Sequence, residues 1–144
     1  MKVVDANVLI YAVNGDAPRH DVAKRWLDDA LNGGATLGLS WVVLLAFLRL
    51  TTKANLFARP LTAGQATAVV EFWLAQPTVR LLEPTAKHVE LVAGLLDAVG
   101  TAGNLVNLVN DAHLAALSIE HRGAIVSFDS DFARFPGVRW EQPA

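Results

Sequence analysis

The sequence of 144 residues contains no cysteine. Disulfide bonds and thiolate chemistry are therefore excluded, and no structural zinc site is expected because the four histidines are scattered along the chain. The first residues lack a basic segment followed by an apolar stretch and a small-residue cleavage site, so no signal peptide is predicted. Together these absences predict a cytoplasmic location.

Long hydrophobic runs are also missing. The longest, Trp41–Leu48, has eight residues and is closed by Arg49, whereas a membrane-spanning helix needs roughly 20 apolar residues. Hydrophobic residues still make up 53% of the chain and the mean hydropathy is +0.34, as is typical of a well-packed globular protein. The sequence predicts no membrane partner and a single domain over residues 1–144.

Charge of one sign is not in excess, because the formal net charge is −2. A general polyanion binder, whose affinity comes from many Lys and Arg residues, is therefore not expected. The balance still permits a nucleic-acid enzyme, since a local basic rim can steer RNA to an acidic pocket.

The periodicity of apolar residues predicts a helix-rich α/β protein. Strands are predicted around Val3–Val4 and at Thr36–Leu39, Val79–Leu82 and Ala124–Phe128, with an edge strand at Val138–Trp140. Helices are predicted at Arg19–Leu31, Trp41–Thr52, Thr62–Ala75, Thr85–Val99 and Asp111–His121. Strands separated by helices indicate a parallel sheet covered on both faces.

Punctuating residues mark several helix ends. Ser40 is predicted to cap the helix that begins at Trp41, and Gly123 is predicted at the position after the last helix where a left-handed residue is common. The short tandem NLVNLVN at Asn104–Asn110 is expected to form a loop or a helix entry.

Three carboxylates from distant parts of the sequence are expected to meet. Asp5 and Asp129 each follow a short apolar run, and ligands of open parallel sheets bind outside the carboxyl ends of the strands. Asp111 opens a helix, where backbone N–H groups and the helix dipole favour an anion. Taken singly, Asp111 is better explained as a helix cap, and Asp129 with Asp131 as a polar turn. The combination favours a site.

A cluster of carboxylates repels itself and raises its own pKa values unless a cation is bound. Mg²⁺ or Mn²⁺ prefers such oxygen ligands, so Asp5, Asp111 and Asp129 are predicted to bind one of them. Metal-assisted phosphodiester hydrolysis is the reaction that such a site favours. Asp131 is expected to support this pocket from outside the direct ligands.

Four segments in order, VVDANVLIYAVN, WVVLLAFLRLTT, NDAHLAALSIEH and IVSFDSDFARFPGVRW, resemble PIN-domain ribonucleases. The closest resemblance is to VapC-type toxins of type II toxin–antitoxin modules, in the set abundant in mycobacteria. It implies a three-layer α/β/α fold with a central, mainly parallel sheet, Mg²⁺ or Mn²⁺ as cofactor, and cleavage of structured RNA such as tRNA or rRNA. It also implies a cognate antitoxin and a homodimer.

By position, the resemblance assigns the family's acids to Asp5, Asp111 and Asp129, and an accessory acid to Asp131. Asn7 matches a small polar residue near the first acid. Arg49 matches an arginine that contacts phosphate or pairs with an acid, so Asn7 and Arg49 are the expected nucleic-acid contacts.

The chain departs from the family at Ala46, where many PIN nucleases have Glu in a segment that reads roughly E-F-L-R. One carboxylate fewer weakens cation binding. Three explanations remain open: a branch that works with the other acids, a chain that kept only its binding role, or a deliberate replacement. The main rival function is therefore a catalytically impaired module that binds an antitoxin or partner protein.

Other residues are assigned structural roles. His113 points to a different side of its helix from Asp111 and is expected at the rim, and His88 is expected to be structural. The apolar helices at Trp41–Leu48 and Thr62–Leu74 carry more hydrophobic surface than a small sheet needs, so part of it is expected to contact a second subunit or an antitoxin. A phosphatase with its acids at Asp129 and Asp131 lacks the downstream sequence for its remaining motifs.

Overall fold

The computed structural model describes residues 1–100, 105 and 108–144. Within them, five strands form one sheet in the order β3-β2-β1-β4-β5, and every neighbouring pair is parallel. The strands are β1 (Lys2–Val4), β2 (Leu37–Leu39), β3 (Val79–Leu81), β4 (Ala124–Val126) and β5 (Trp140–Glu141). The predicted parallel α/β sheet is confirmed, and the segment near Trp140 forms the predicted edge strand.

Six α-helices flank this sheet in the described residues. They are α1 (Ala6–Val13), α2 (His20–Leu31), α3 (Trp41–Thr51), α4 (Ala63–Leu74), α5 (His88–Val99) and α6 (Val109–Glu120), and a short 3₁₀ helix follows at Ser130–Arg134. Helix α1 packs on α2 and α3, α3 on α4, and α5 on α6. Right-handed crossovers place the helices that connect β1, β2 and β3 on one face and α5 and α6 on the other.

The sequence analysis missed helix α1. It begins directly after Asp5, whose carboxylate accepts a hydrogen bond from the Ala6 backbone N–H at 2.7 Å. Val8, Leu9 and Ala12 of this helix are buried, and the helix is apolar on most sides. A short buried helix and a buried strand both appear as apolar runs, so periodicity alone does not separate them.

The end of α6 also differs from the prediction. Arg122, with φ of 56°, takes the left-handed position expected for Gly123. Its N–H bonds to Ile119 O, and the Gly123 N–H bonds to Ser118 O, which completes a Schellman ending. Gly123 is required for space, because a Cβ there would lie 2.8 Å from Val3 Cγ2 on the neighbouring strand.

Ser40 lies at the cap position of α3, as predicted, but its side chain makes no capping bond. Its Oγ is buried without a hydrogen-bond partner among the described residues. Of the tandem at Asn104–Asn110, residues 104, 106 and 107 lie outside the described residues, and its last two residues begin α6.

The strand order positions the site. Strand β1 has β2 on one side and β4 on the other, so the direction of the crossovers reverses between β1 and β4. Ligands of open α/β sheets bind at such a switch point, outside the carboxyl ends of the strands. In the described part of the chain, no helix is both long and apolar enough to cross a membrane.

Candidate active site

Asp5 and Ser127 emerge side by side at the carboxyl ends of β1 and β4. The two strands pair in register from Lys2 with Ala124 to Val4 with Val126, and the Asp5 N–H continues the pairing by donating to Val126 O at 3.0 Å. Both residues therefore leave the sheet at its switch point.

A hydrogen-bond network fixes the Asp5 carboxylate. Ser127 Oγ donates to Asp5 Oδ2 at 2.7 Å, and Asn7 Nδ2 lies 3.2 Å from the same oxygen and 3.0 Å from Ser127 Oγ. Asn7 Oδ1 accepts from the Phe128 backbone N–H at 3.2 Å. The Asn7 amide is thus engaged inside the protein at both ends, where it orients Asp5; its contact with nucleic acid stays a prediction.

Asp129 and Asp131 occupy the turn that leads into the 3₁₀ helix. The Asp129 N–H donates to Ser127 Oγ at 3.0 Å, and Asp129 Oδ1 accepts from the Asp131 N–H at 2.9 Å. Asp129 is half-buried and Asp131 is exposed. The polar-turn interpretation is therefore correct locally, and it coexists with a role for Asp129 in the site.

Asp111 approaches Asp5 from α6, of which it is the third residue. A cavity of about 60 Å³ is lined by both carboxylates, by Val42, Val43 and Ala46 of α3, and by Leu114 of α6. The helix-cap interpretation of Asp111 does not hold, since Leu108 occupies the cap position and makes no side-chain capping bond. The acid pocket thus lies between the first turns of α3 and α6, and Ala46 faces it.

Burial and like charge perturb two of these acids. Burial raises the pKa of Asp111 to about 7, with added repulsion from Asp5, Asp129 and Asp131. Burial also raises the pKa of Asp5; the hydrogen bonds from Ser127 and Ala6 oppose this shift, and the charge of Asp129 adds to it. The four predicted acids therefore form one electrostatic cluster.

The chemistry of this donor set fits a hard divalent cation, because Asp111 is destabilised as an anion by the very groups that would share the ion with it. Within the described ranges, no set of three or more His, Cys, Asp or Glu side chains converges closely enough to form a metal-binding group. The carboxylates are thus close enough to repel one another, but they are farther apart than the ligands of a bound metal ion would be.

Arg49 lies apart from the four acids. It borders a cavity of about 530 Å³ between α3 and α4, with Leu45 and Leu48 on one wall and Ala63 and Ala66 on the other. Its predicted contact with phosphate remains a prediction.

Arg19 packs against Phe128, the residue that precedes Asp129. Its guanidinium stacks 4.8 Å from the centre of the Phe128 ring, next to Asp129. Lys24 of α2 forms an exposed ion pair with Asp28, one turn further along the same helix, at 2.6 Å.

A larger cavity of about 430 Å³ opens beside Asp5. Asn7, Ile10 and Tyr11 of α1 line one side together with Asn14 at its C-terminal end, and Leu50, Leu56 and Phe57 line the other. It adjoins the acid pocket, since Asp5 and Ala6 line both. An extended ligand can therefore pass from the carboxylates along α1.

Sequence reasoning missed Ser127, which connects Asp5, Asn7 and Asp129. A serine two residues before Asp129 at the end of a strand was the available signal, but its contacts depend on β4 lying next to β1. Trp140 of β5 supports the same point, because its Nε1 donates to Ser127 O at 3.0 Å.

Comparisons with known proteins agree with this arrangement. The PIN domain profile matches residues 2–138. The chain is 56% identical to Ribonuclease VapC37 of Mycobacterium tuberculosis over 143 residues, covering 99% of this chain and 97% of that protein. It is 42% identical to Ribonuclease VapC33 of the same species over 143 residues, covering 99% and 98%.

Solved structures show the same fold. VapBC2 from Rickettsia felis, bound to promoter DNA, matches with a TM-score of 0.69 and 20% identity over 98% of this chain and 97% of that one. VapC20 of Mycobacterium tuberculosis, described as a sarcin–ricin loop cleaving toxin, matches with a TM-score of 0.67 and 22% identity over 96% and 99%.

Proposed function

The chain belongs to the PIN domain family and, within it, to the VapC ribonucleases, and from this premise we propose that it is the toxin of a toxin–antitoxin pair. We propose that it is a Mg²⁺- or Mn²⁺-dependent endoribonuclease that hydrolyses phosphodiester bonds in structured RNA, tRNA or rRNA. The observation that carries this proposal is the four-acid cluster at the switch point of the sheet, with the pKa of Asp111 raised to about 7. The description of the structural neighbour VapC20 as a sarcin–ricin loop cleaving toxin supports the substrate class.

Asp5, Asp111 and Asp129 would hold the cation, and Asp131 would act on the pocket from its exposed position. When bound, the cation supplies an activated water and neutralises charge on the phosphate that is attacked. Ser127 and Asn7 keep the Asp5 carboxylate in one orientation. Without the cation, Asp111 holds a proton near neutral pH, because burial and three neighbouring acids disfavour its charge.

We propose that the RNA follows the cavity beside Asp5. This cavity adjoins the acid pocket and combines apolar walls with the polar groups of Tyr11 and Asn14, which suits a nucleobase next to the reacting phosphate. Arg19, which stacks on Phe128, and Arg49, which borders the cavity between α3 and α4, are the cations proposed to contact flanking phosphates. Asn7 remains a predicted contact, although its amide is already hydrogen-bonded within the protein.

The antitoxin and a second subunit are proposed to cover exposed apolar residues of α3 and α4. Trp41 and Leu45 on α3 are 46% and 53% exposed, and Phe72 on α4 is 58% exposed. Structural neighbours that are toxin–antitoxin complexes support an antitoxin partner. Gel filtration at low concentration tests the homodimer, and elution as a clean monomer would contradict it.

A cytoplasmic location and a single domain over residues 1–144 complete the proposal. The proposed substrates, tRNA and rRNA, are cytoplasmic RNAs, which supports the location. The family profile covers residues 2–138, which supports the single domain.

The central experiment is an RNA-cleavage assay on total tRNA and rRNA with Mn²⁺ or Mg²⁺, repeated in EDTA. The chain as it stands is compared with Asp111→Asn and with Ala46→Glu. Asp97→Asn serves as a matched control, because Asp97 is an exposed aspartate of α5 outside the acid cluster. Discrete cuts that vanish in EDTA and in Asp111→Asn, but persist in Asp97→Asn, are expected.

The Ala46→Glu variant tests the departure from the family. If the chain as it stands cuts RNA, its remaining acids suffice. If only Ala46→Glu cuts RNA, the chain as it stands is inactive because it lacks a carboxylate at position 46, which faces Asp5 and Asp111. The absence of cuts from both proteins, with intact metal binding, would contradict the proposed activity on this RNA pool.

A further inference from the structure

A second polar cluster lies where α5 meets α6. Glu120 Oε2 accepts from the Thr85 backbone N–H at 2.6 Å and also binds the Thr85 hydroxyl, and Glu120 Oε1 lies 2.5 Å from His88 Nδ1. The chain continues from His88 Nε2 to His113 Nδ1 at 2.8 Å. We call these four residues the α5–α6 bracket.

Within the bracket the side chains of Glu120 and His88 are largely covered, whereas Thr85 is exposed. The Glu120 side chain is 2% exposed and that of His88 is 14% exposed. The residues that cover the Glu120 carboxylate are mainly its hydrogen-bond partners, and the group lies close to the protein surface. Burial alone would raise the pKa of Glu120, but the hydrogen bonds from Thr85 and His88 outweigh it and lower the pKa. Glu120 is thus an anion that holds the proton of His88 on Nδ1, which leaves His88 Nε2 to bond with His113.

The bracket grips α6 from the side opposite the acids. His113 and Glu120 are seven residues apart, so they share one stripe of the helix, and both contact His88 at the first turn of α5. Asp111 precedes His113 by two residues, which turns its side chain through roughly 200° about the helix axis. One stripe of α6 is therefore tied to α5 while another carries Asp111 into the acid pocket.

Helix α6 needs such an anchor at its first turn. Leu108 at the cap position supplies no side-chain bond, so local capping does not fix this end. Among the described contacts, His113 is the residue nearest in sequence to Asp111 whose side chain bonds to another element.

We propose that His88 and His113 are positioning residues for the metal-binding site: through the bracket they fix the rotation and axial position of α6 and hold Asp111 beside Asp5. This inference rests on the proposed function only in naming the ligand as a divalent cation. Groups that support ligands from behind affect metal affinity as well as stability.

The test compares His113→Leu, which removes the bond to His88, with His113→Asn, whose amide N–H can replace the Nδ1 donor. His121→Leu is the matched control, because His121 lies at the end of the same helix and its ring bonds to Glu83 O at 2.8 Å. For each protein, the dissociation constant for Mn²⁺ is measured by electron paramagnetic resonance, and the free energy of unfolding by urea titration.

His113→Leu is expected to weaken Mn²⁺ binding roughly tenfold, and His113→Asn to recover most of that loss. His121→Leu is expected to leave the Mn²⁺ dissociation constant unchanged whatever its effect on unfolding. Unchanged Mn²⁺ binding by a folded His113→Leu protein, with only stability reduced, would overturn the proposal and reduce the bracket to a structural tie.

A second readout separates this inference from the proposed function. If the chain as it stands binds no Mn²⁺, the metal-dependent function fails, and hydrogen exchange then decides the inference. Faster exchange confined to the first turns of α6 in His113→Leu, absent in His121→Leu, supports the anchoring role. Equal exchange in both variants would overturn it.

Discussion

The two polar clusters attached to α6 are opposites. In the acid pocket, Asp111 faces three other carboxylates and the described residues supply no cation among them, so burial and repulsion raise its pKa to about 7. In the α5–α6 bracket, one carboxylate is matched by a histidine ring and by two donors from Thr85, and its pKa is lowered. The same helix therefore carries one cluster that needs an additional ligand and one that needs none.

This difference separates a functional site from a structural one. A buried polar group whose partners are all protein groups stabilises the native state, whereas a group left without partners lowers stability unless a ligand binds. The acid pocket is thus expected to respond to metal, pH and charge, and the bracket to changes that remove a partner.

The largest expected effect is on the acid side. Asp5→Asn and Asp111→Asn should each lower the RNA-cleavage rate on the order of a thousandfold, because each removes a ligand of the cation that stabilises several kcal/mol of charge in the transition state. Both variants should fold: Asn at position 111 removes a half-buried charge, and Asn at position 5 keeps one oxygen for the Ala6 N–H while its amide N–H can donate to Ser127 Oγ, whose hydroxyl is free to rotate. Single-turnover rates with Mn²⁺ check this, and full activity in both variants would break the comparison.

The next effect is on the bracket. Glu120→Ala should lower the free energy of unfolding by about 2 kcal/mol, because it leaves the Thr85 N–H and His88 Nδ1 without their acceptor. Urea titration measures this change. Asp129→Ala, which removes a carboxylate from the acid pocket, is the contrasting variant, and an equal loss of stability in both would remove the distinction between the clusters.

The pH dependence of stability should distinguish the clusters in the absence of metal. The folded-state pKa of Asp111, about 7, lies above the ordinary pKa of 3.8 for an aspartate, so between these values the native state binds more protons than the unfolded state. This group's contribution therefore falls as pH rises from about 4 to 7 and is constant above that range. After allowance for solvent screening the change is on the order of 1 kcal/mol.

Urea titrations in EDTA at several pH values, with Asp111→Asn as reference, measure this slope. Between pH 4 and 7 the free energy of unfolding should fall less, or rise more, with increasing pH in the variant than in the chain as it stands. Identical slopes in the two proteins would contradict the raised pKa.

The smallest expected effect lies just past the end of α6, at a residue whose side chain belongs to neither cluster. Arg122→Gly should raise the free energy of unfolding by up to about 1 kcal/mol, because Arg122 has φ of 56° and glycine adopts this region without steric strain. Thermal unfolding measures it. Mn²⁺ affinity should not change, and a change would show that the helix end is coupled to the acid pocket.

The sequence predicted the elements that local patterns determine. All five strands and five of the six helices in the described residues were predicted from the apolar pattern, and Asp5, Asp111 and Asp129 were singled out from their places at strand and helix ends. Helix α1 was missed because a short apolar segment has no periodicity that separates strand from helix. Gly123 was wrongly assigned the left-handed position, which Arg122 takes. A glycine is needed at 123 because Val3 lies close to it, and this contact forms only in the packed sheet.

Contacts between distant residues could not be predicted in the same way. Ser127 reaches Asp5 across 122 positions, and the bond between His88 and His113 depends on how α5 lies against α6. Both sets of side chains are ordinary in isolation. Their roles arise from the register of β1 with β4 and from the stripe that His113 shares with Glu120.

The pairing of β1 with β4 also determines when the acid cluster can assemble during synthesis. Strand β1 is made first, yet it takes the centre of the sheet, and the position beside it stays vacant until β4 has been translated. Until then the nascent chain lacks Ser127 and Asp129, so Asp5 has neither its hydrogen-bond donor nor its acidic neighbour. The acid cluster therefore stays incomplete on an unfinished chain until β4 and the turn after it have been translated.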